Sequence, residues 1–237
     1  VLRAVKYGET SLVVTIFTEL FGIQSYIVNG VRTSSKKGSG RANLFQPSAM
    51  LDLVVYHQEE KNLQRIREFK WAILYDEIFS DVPKNAVAMF MVELLTKLLK
   101  QPEPNPDLFY FVEDSFVHLD KSHGQVMANF PLFFALHLSL FFGFRMSDEY
   151  AEDLPFLDLQ EGVFVHEQPL HTYFLSGRLA EVSSQLLQVM QPAELEEIRL
   201  NRELRRELLL AYEKYYALHV SDFGTMKTLP VLKEIWG

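Results

Sequence analysis

The first seventy residues alternate apolar and polar positions with a period of two. Leu12, Val14 and Ile16 interleave with Val13, Thr15 and Phe17, the pattern of a strand packed on both faces. Glu19-Leu20-Phe21-Gly22 offers a turn, and Ile23, Ser25 and Ile27 then interleave with Gln24, Tyr26 and Val28 to give a returning strand. Val1–Tyr7 reads as a strand before them, and Leu51, Leu53 and Val55 mark a fourth after the polar stretch Arg32–Arg41. Asn62–Lys70 is ambiguous, since Leu63, Ile66 and Phe69 lie three apart, but Arg65 and Arg67 suit the exposed face of a fifth strand. Five short strands in about 70 residues predict a small, partly open barrel of the OB type.

The period then changes. Val87, Phe90, Met91, Leu94, Leu95 and Leu98 form the stripe of an amphipathic helix over Lys84–Lys100, with Pro83 at its start and Pro102, Pro104 and Pro106 beyond its end. Asp107–Leu119 predicts a second helix, and Gln125–Phe144, apolar nearly all round, a third at the centre of a helical core. Asp148–Ser176 breaks into short pieces, an excursion from the bundle. Helical pattern resumes over Leu179–Met190 and again from Ala193, with Leu204, Leu208, Ala211 and Tyr215 as an inner stripe, and Met226–Trp236 closes the chain. The predicted fold class is α+β, an N-terminal OB-type β-barrel over residues 1–75 followed by an α-helical domain over residues 76–237.

Composition narrows the chemistry. The 237 residues include no cysteine, so no disulfide framework and no thiolate metal site can form. The longest apolar run, Phe130–Phe144, is shorter than the roughly 18 residues of a membrane span and reads as a buried helix, so no membrane association is expected. Val1 falls directly in a strand, and native residues are expected to precede it. The net charge of −8 is unevenly divided, with residues 1–70 carrying +4 and the remainder −12. Such asymmetry suits a chain in which one half tolerates phosphate and the other repels it.

No enzyme motif is complete. His166 and His171 are five apart rather than four and flank Pro169, which breaks a helix. Lys37-Gly38-Ser39-Gly40 lacks the phosphate-loop spacing, and no Gly-x-Ser-x-Gly elbow occurs. Asp148, Glu149, Glu152, Asp153 and Asp158 read as a solvated loop rather than a cation site. No catalytic residue, metal or cofactor is therefore predicted. Nucleic-acid binding fits better: Lys36, Lys37 and Arg41 can reach phosphates from a Gly/Ser loop, with Arg3, Lys6 and Arg32 flanking it on the sheet. Tyr7, Phe17 and Tyr26 lie among the same strands as candidate base-stacking residues. Phe17 reads rather as barrel core, whereas for Tyr26 core and stacking roles stay open.

The opening run closely resembles the start of the bacterial recombination mediator family RecO. The likeness rests on Tyr7-Gly8-Glu9, the apolar strand ending in Thr18, Phe21-Gly22 and Asn29-Gly30-Val31-Arg32, and also on Leu44-Phe45-Gln46-Pro47 and Leu51-Asp52-Leu53. The resemblance implies a non-enzymatic protein, cytoplasmic and associated with the nucleoid, that binds single- and double-stranded DNA and anneals complementary strands. It further implies engagement of the acidic C-terminal tail of single-stranded DNA-binding protein by the helical domain, near Phe130–Phe144. Loading of RecA is implied together with RecR and, in many members, RecF. Two departures stand out: many members carry a four-cysteine zinc site, and the corresponding region around Phe164–Phe174 has no cysteine, while a commonly lysine-like position is Asn29. The rival expectation is an adaptor whose barrel binds a peptide or partner protein instead of DNA.

Overall fold

The computed structural model describes residues 1–32 and 40–235. They form two compact units, one of residues 1–76 with 95–117, the other of residues 77–94 with 118–237.

The first unit is built on a five-stranded sheet of β1 (Arg3–Tyr7), β2 (Ser11–Thr18), β3 (Gly22–Val28), β4 (Met50–Tyr56) and β5 (Leu63–Ile73). The strand order is β1-β2-β3-β5-β4, with β3 and β5 parallel and every other pair antiparallel. This is the OB topology. The sheet is not closed along its length: β1 and β4 are its edges, joined where the Val1 nitrogen donates to Ala49 O (2.7 Å) and Ser48 N to Val1 O (2.9 Å). The ambiguous segment is a strand because its burial alternates, with Gln64 and Ile66 inside and Leu63, Arg65 and Arg67 outside.

Leu12, Val14, Ile16, Tyr26, Val28 and Ile66 fill the barrel, and a single helical turn, Arg41–Phe45, drives Phe45 into it. The buried Gln64 amide closes the β4–β5 turn, accepting from Gln58 N (2.9 Å) and donating to Gln58 O (2.8 Å) and Lys61 O (2.6 Å). Residues 95–117 complete this unit: Phe17 meets Phe109 at 5.8 Å, and Tyr75 donates to Ser48 O. The β2–β3 turn approaches them so closely that a Cβ on Gly22 (φ +62°) would stand 2.2 Å from Glu103 O.

The helices are α1 (Val82–Leu98), α2 (Pro106–Lys121), α3 (Gly124–Leu138), α4 (Arg178–Gln188), α5 (Arg202–His219) and α6 (Thr228–Ile235). The division between units falls within α1 and α2. In the second unit, Asp120 Oδ1 accepts from Glu77 N and Ile78 N, both at 2.9 Å, and the buried Lys84 ammonium donates to Asp120 O and pairs with Glu77.

Several expected boundaries are corrected. The central helix does not run to Phe144: α3 ends at Leu138, a short 3₁₀ turn spans Ser139–Phe142, and Gly143 (φ +80°) breaks the direction. Gly124–Phe142 together are long and apolar enough to cross a membrane, but Asn129–Leu136 are buried within the unit. The excursion at Asp148–Ser176 contains a second sheet, β6 (Phe156–Asp158), β7 (Val163–Val165) and β8 (Phe174–Ser176), ordered β7-β6-β8. From Ala193 there is only a 3₁₀ turn, Pro192–Glu196; α5 starts at Arg202, where Asn201 caps it by accepting from Leu204 N (2.9 Å). Leu208 and Tyr215 of the expected stripe are buried, whereas Leu204 and Ala211 sit at its margin and Arg205, Leu209, Tyr212 and Tyr216 complete the inner face.

Candidate nucleic-acid interface

Strand register fixes what the barrel shows to solvent. Directly opposed residues point to the same side of a sheet. Val5 opposes Val13, Val13 opposes Ile27, Ile27 opposes Arg65, and Arg65 opposes Tyr56. One outward row thus crosses all five strands. A second row, Arg3–Thr15–Ser25–Leu63, runs beside it, and Tyr7 opposite Ser11 continues the first strand on the same face. Tyr7 and Tyr56 are 55% and 54% exposed, enough to offer a ring face to a ligand. Arg3 and Arg65 are exposed and form no ion pair among the described residues, while Arg67 pairs with Glu68 (3.2 Å) and Lys70 with Asp52 (3.2 Å), all four side chains more than half exposed. Such exposed pairs are worth little and yield readily to a phosphate. The face therefore combines free guanidinium groups, flat rings and apolar side chains, the chemistry that tracks a polyanion with bases on it.

The predicted residues are placed unevenly. Arg3 is in the outer row, but Lys6, exposed and opposite the inward-facing Leu12, stands on the other side of β1. Arg32 braces the β1–β2 turn, donating from Nη1 to Gly8 O (3.1 Å) and from its backbone to Thr10 O (2.9 Å). Arg41 lays its guanidinium over Phe69 at 4.7 Å from the ring centre and is otherwise exposed. Lys36 and Lys37 lie outside the described residues.

Tyr26 is a correction. It opposes the fully buried Val14 and is itself 0% exposed, so it cannot stack on a base. Burial raises its hydroxyl pKa, the Thr18 side chain opposes that rise, and no group meets the geometry of a full hydrogen bond to the hydroxyl. Phe17, expected in the barrel core, is buried elsewhere: it shares the outward parity of Val13 and Thr15 and is covered by Phe109. Tyr56 was missed, although Val54 and Tyr56 share the outward parity of β4 and both are exposed.

In the helical unit, α3 buries Phe130–Leu136, and beyond its C-terminal end Leu140 is exposed, Phe141 and Phe142 are half-buried and Arg145 is exposed. Burial lowers the pKa of His137, whose Nε2 contacts Leu186 O at 3.1 Å. Arg205 is buried with no carboxylate partner among the described residues; Nε donates to Asn129 Oδ1 (2.8 Å) and Nη2 to Gln125 Oε1, and burial lowers its pKa.

Residues 1–75 match the family described as Recombination protein O N terminal, and residues 80–228 match Recombination protein O C terminal. The chain belongs to the RecO family. It is 32% identical to the DNA repair protein RecO of Christiangramia forsetii over 237 residues, covering 100% of this chain and 97% of that one. Against the DNA repair protein RecO of Flavobacterium johnsoniae it is 30% identical, covering 100% and 96%, and against that of Phocaeicola vulgatus 32%, again covering 100% and 96%. It is thus a DNA repair protein of the RecO type, and DNA-repair partners follow in general terms.

The zinc site of many RecO proteins does not fit the residues here. Where it would lie, Asp158 Oδ1 accepts from Gln160 N (2.7 Å), its Oδ2 meets His171 Nε2 (3.2 Å), and His171 Nδ1 accepts from Tyr173 N (3.2 Å). There is no cysteine, and among the described residues no group of three or more His, Asp or Glu is placed to hold a metal ion. Hydrogen bonds between β6 and the approach to β8 fasten this corner instead.

Proposed function

We propose that this RecO-family chain is a non-enzymatic recombination mediator whose barrel binds DNA through its outer sheet face. In this reading it anneals complementary strands and, with RecR and in some settings RecF, helps load RecA onto strands covered by single-stranded DNA-binding protein. The helical unit receives the acidic tail of that protein, with the apolar Leu140–Phe142 turn beyond α3 for its hydrophobic residues and Arg145 for its charge. The observation that carries the DNA reading is the outward row that sets Arg65 between Ile27 and Tyr56, with Arg3 on the row beside it.

Phosphate contacts release counterions, about 0.7 of a unit in the log–log salt slope per contact on single strands. Arg3→Ala/Arg65→Ala/Arg67→Ala is expected to flatten that slope by roughly two units and to weaken binding alike on unrelated sequences. Titration of a labelled oligonucleotide across a salt series reads both. The same titration on Lys36→Ala/Lys37→Ala/Arg41→Ala measures the share carried by those three side chains. Exposed Val5, Val54 and Leu63 on the same face favour a second reading, an adaptor that docks a protein there. An unchanged salt slope in both triple variants, each still folded, selects the adaptor.

A further inference from the structure

The outer surface of the barrel carries two exposed aromatic rings, one on each edge strand of the curved sheet. Tyr56 terminates the row that crosses five strands, and Tyr7 sits two residues along β1 from Val5, which begins that row. Four inter-strand spacings separate β1 from β4, about 19 Å along the curved sheet. Between the rings stand Val13, Ile27 and Arg65, none of them aromatic. Each tyrosine is more than half exposed, and neither hydroxyl takes part in a hydrogen bond among the described residues.

A duplex keeps its bases stacked on each other and shows a protein mainly phosphate and groove edges. An unpaired strand has free base faces, and an aromatic ring is worth binding energy only to those. The arginines of this face serve both forms of DNA; the tyrosines can serve only one. We infer that Tyr7 and Tyr56 are the specificity-determining residues of this face, a pair of stacking platforms that makes it prefer unpaired strands over duplex. The inference rests on the DNA-binding reading above. A strand laid along the row from one ring to the other spans about 19 Å, some five to six nucleotides at the 3.4 Å spacing of a stacked strand and fewer when extended. That span lies within the range of about 4–16 nucleotides covered by single OB folds.

The test compares full-length wild type with Tyr7→Ala/Tyr56→Ala and Tyr7→Phe/Tyr56→Phe on three probes of equal length: an oligo-dT, a duplex, and a strand with abasic sites throughout. Each stacked base lost to alanine weakens binding about 5- to 150-fold. The alanine pair is therefore expected to lower the preference for oligo-dT over duplex by at least about 25-fold, and the phenylalanine pair, which keeps both ring faces, to restore it. Wild type is expected to bind the abasic strand more weakly than oligo-dT, and the alanine pair to bind the two alike. An unaltered preference in the alanine pair, or equal losses on oligo-dT and duplex, overturns the inference while leaving the arginine reading intact. If the Arg3/Arg65/Arg67 and Lys36/Lys37/Arg41 variants both bind every probe like wild type, the DNA reading itself fails, whatever the tyrosines do.

Discussion

Tyr26 carries a buried hydroxyl that makes no well-formed hydrogen bond, although the Thr18 side chain is near enough to oppose the rise in its pKa. Its ring fills the space between Val14 and the rest of the core, so the ring is needed and the oxygen is not. Burying an unpaired hydroxyl costs about 1–3 kcal/mol. Tyr26→Phe is expected to raise the stability of the first unit by roughly 1 kcal/mol, seen as a higher denaturant midpoint at unchanged slope. An unchanged or lower midpoint would mean the hydroxyl is satisfied after all. The same residue shows what a sequence conceals: in β3 both alternating sets, Ile23-Ser25-Ile27 and Gln24-Tyr26-Val28, are mostly apolar, so parity alone does not say which faces inward. Only pairing with β2 decides it. Arg205 is hidden for another reason, since the amides of Gln125 and Asn129 that allow its burial are 80 and 76 residues away.

At the scale of elements, the turns were more legible than the helix ends. Gly22 announces the β2–β3 turn, and the structure adds that its missing side chain leaves room for the Glu103 backbone. Gly22→Ala combines left-handed strain with that collision and is expected to destabilise the first unit by more than about 2 kcal/mol, against a fraction of that for the open Gly8→Ala, both read by thermal melts. Helix ends were misread because they depend on distant packing, as where α3 stops at Leu138 despite apolar residues running on through Phe144. Helix α5 gives a pH prediction. Burial pushes the Tyr215 hydroxyl up to about 12 and raises those of Tyr212 and Tyr216 strongly, while an unfolded tyrosine ionises near 10. Groups raised on folding hold their full contribution below pH 10 and lose it as the pH climbs toward the folded value. The thermal midpoint is expected to fall steeply between about pH 10 and 12, and Tyr215→Phe to make the fall shallower. A flat profile there would place these hydroxyls in contact with solvent.

Across the whole molecule, the order of a barrel followed by helices was legible, because a period of two gives way to one of 3.6 near residue 80. What periodicity cannot show is which residues cohere. The unit that holds the barrel also takes in residues 95–117, whose Phe109 covers Phe17 and whose Tyr110 hydroxyl donates to Glu19. A barrel cut at residue 75 exposes Phe17, which is 8% exposed in place, and leaves Gly22 facing solvent instead of the Glu103 backbone. Each large apolar side chain so uncovered costs about 1.5–3 kcal/mol, a large part of the 5–15 kcal/mol that holds a typical domain together. Residues 1–75 alone are therefore expected to melt well below residues 1–76 joined by a flexible Gly/Ser linker to residues 95–117. Phe109→Ala in the linked version is expected to lower its midpoint much of the way back to that of residues 1–75, because the ring it removes is the one Phe17 rests on. Circular dichroism melts of the three fragments decide it. Equal midpoints for the short and the linked barrel would mean that residues 95–117 rest on the sheet without stabilising it.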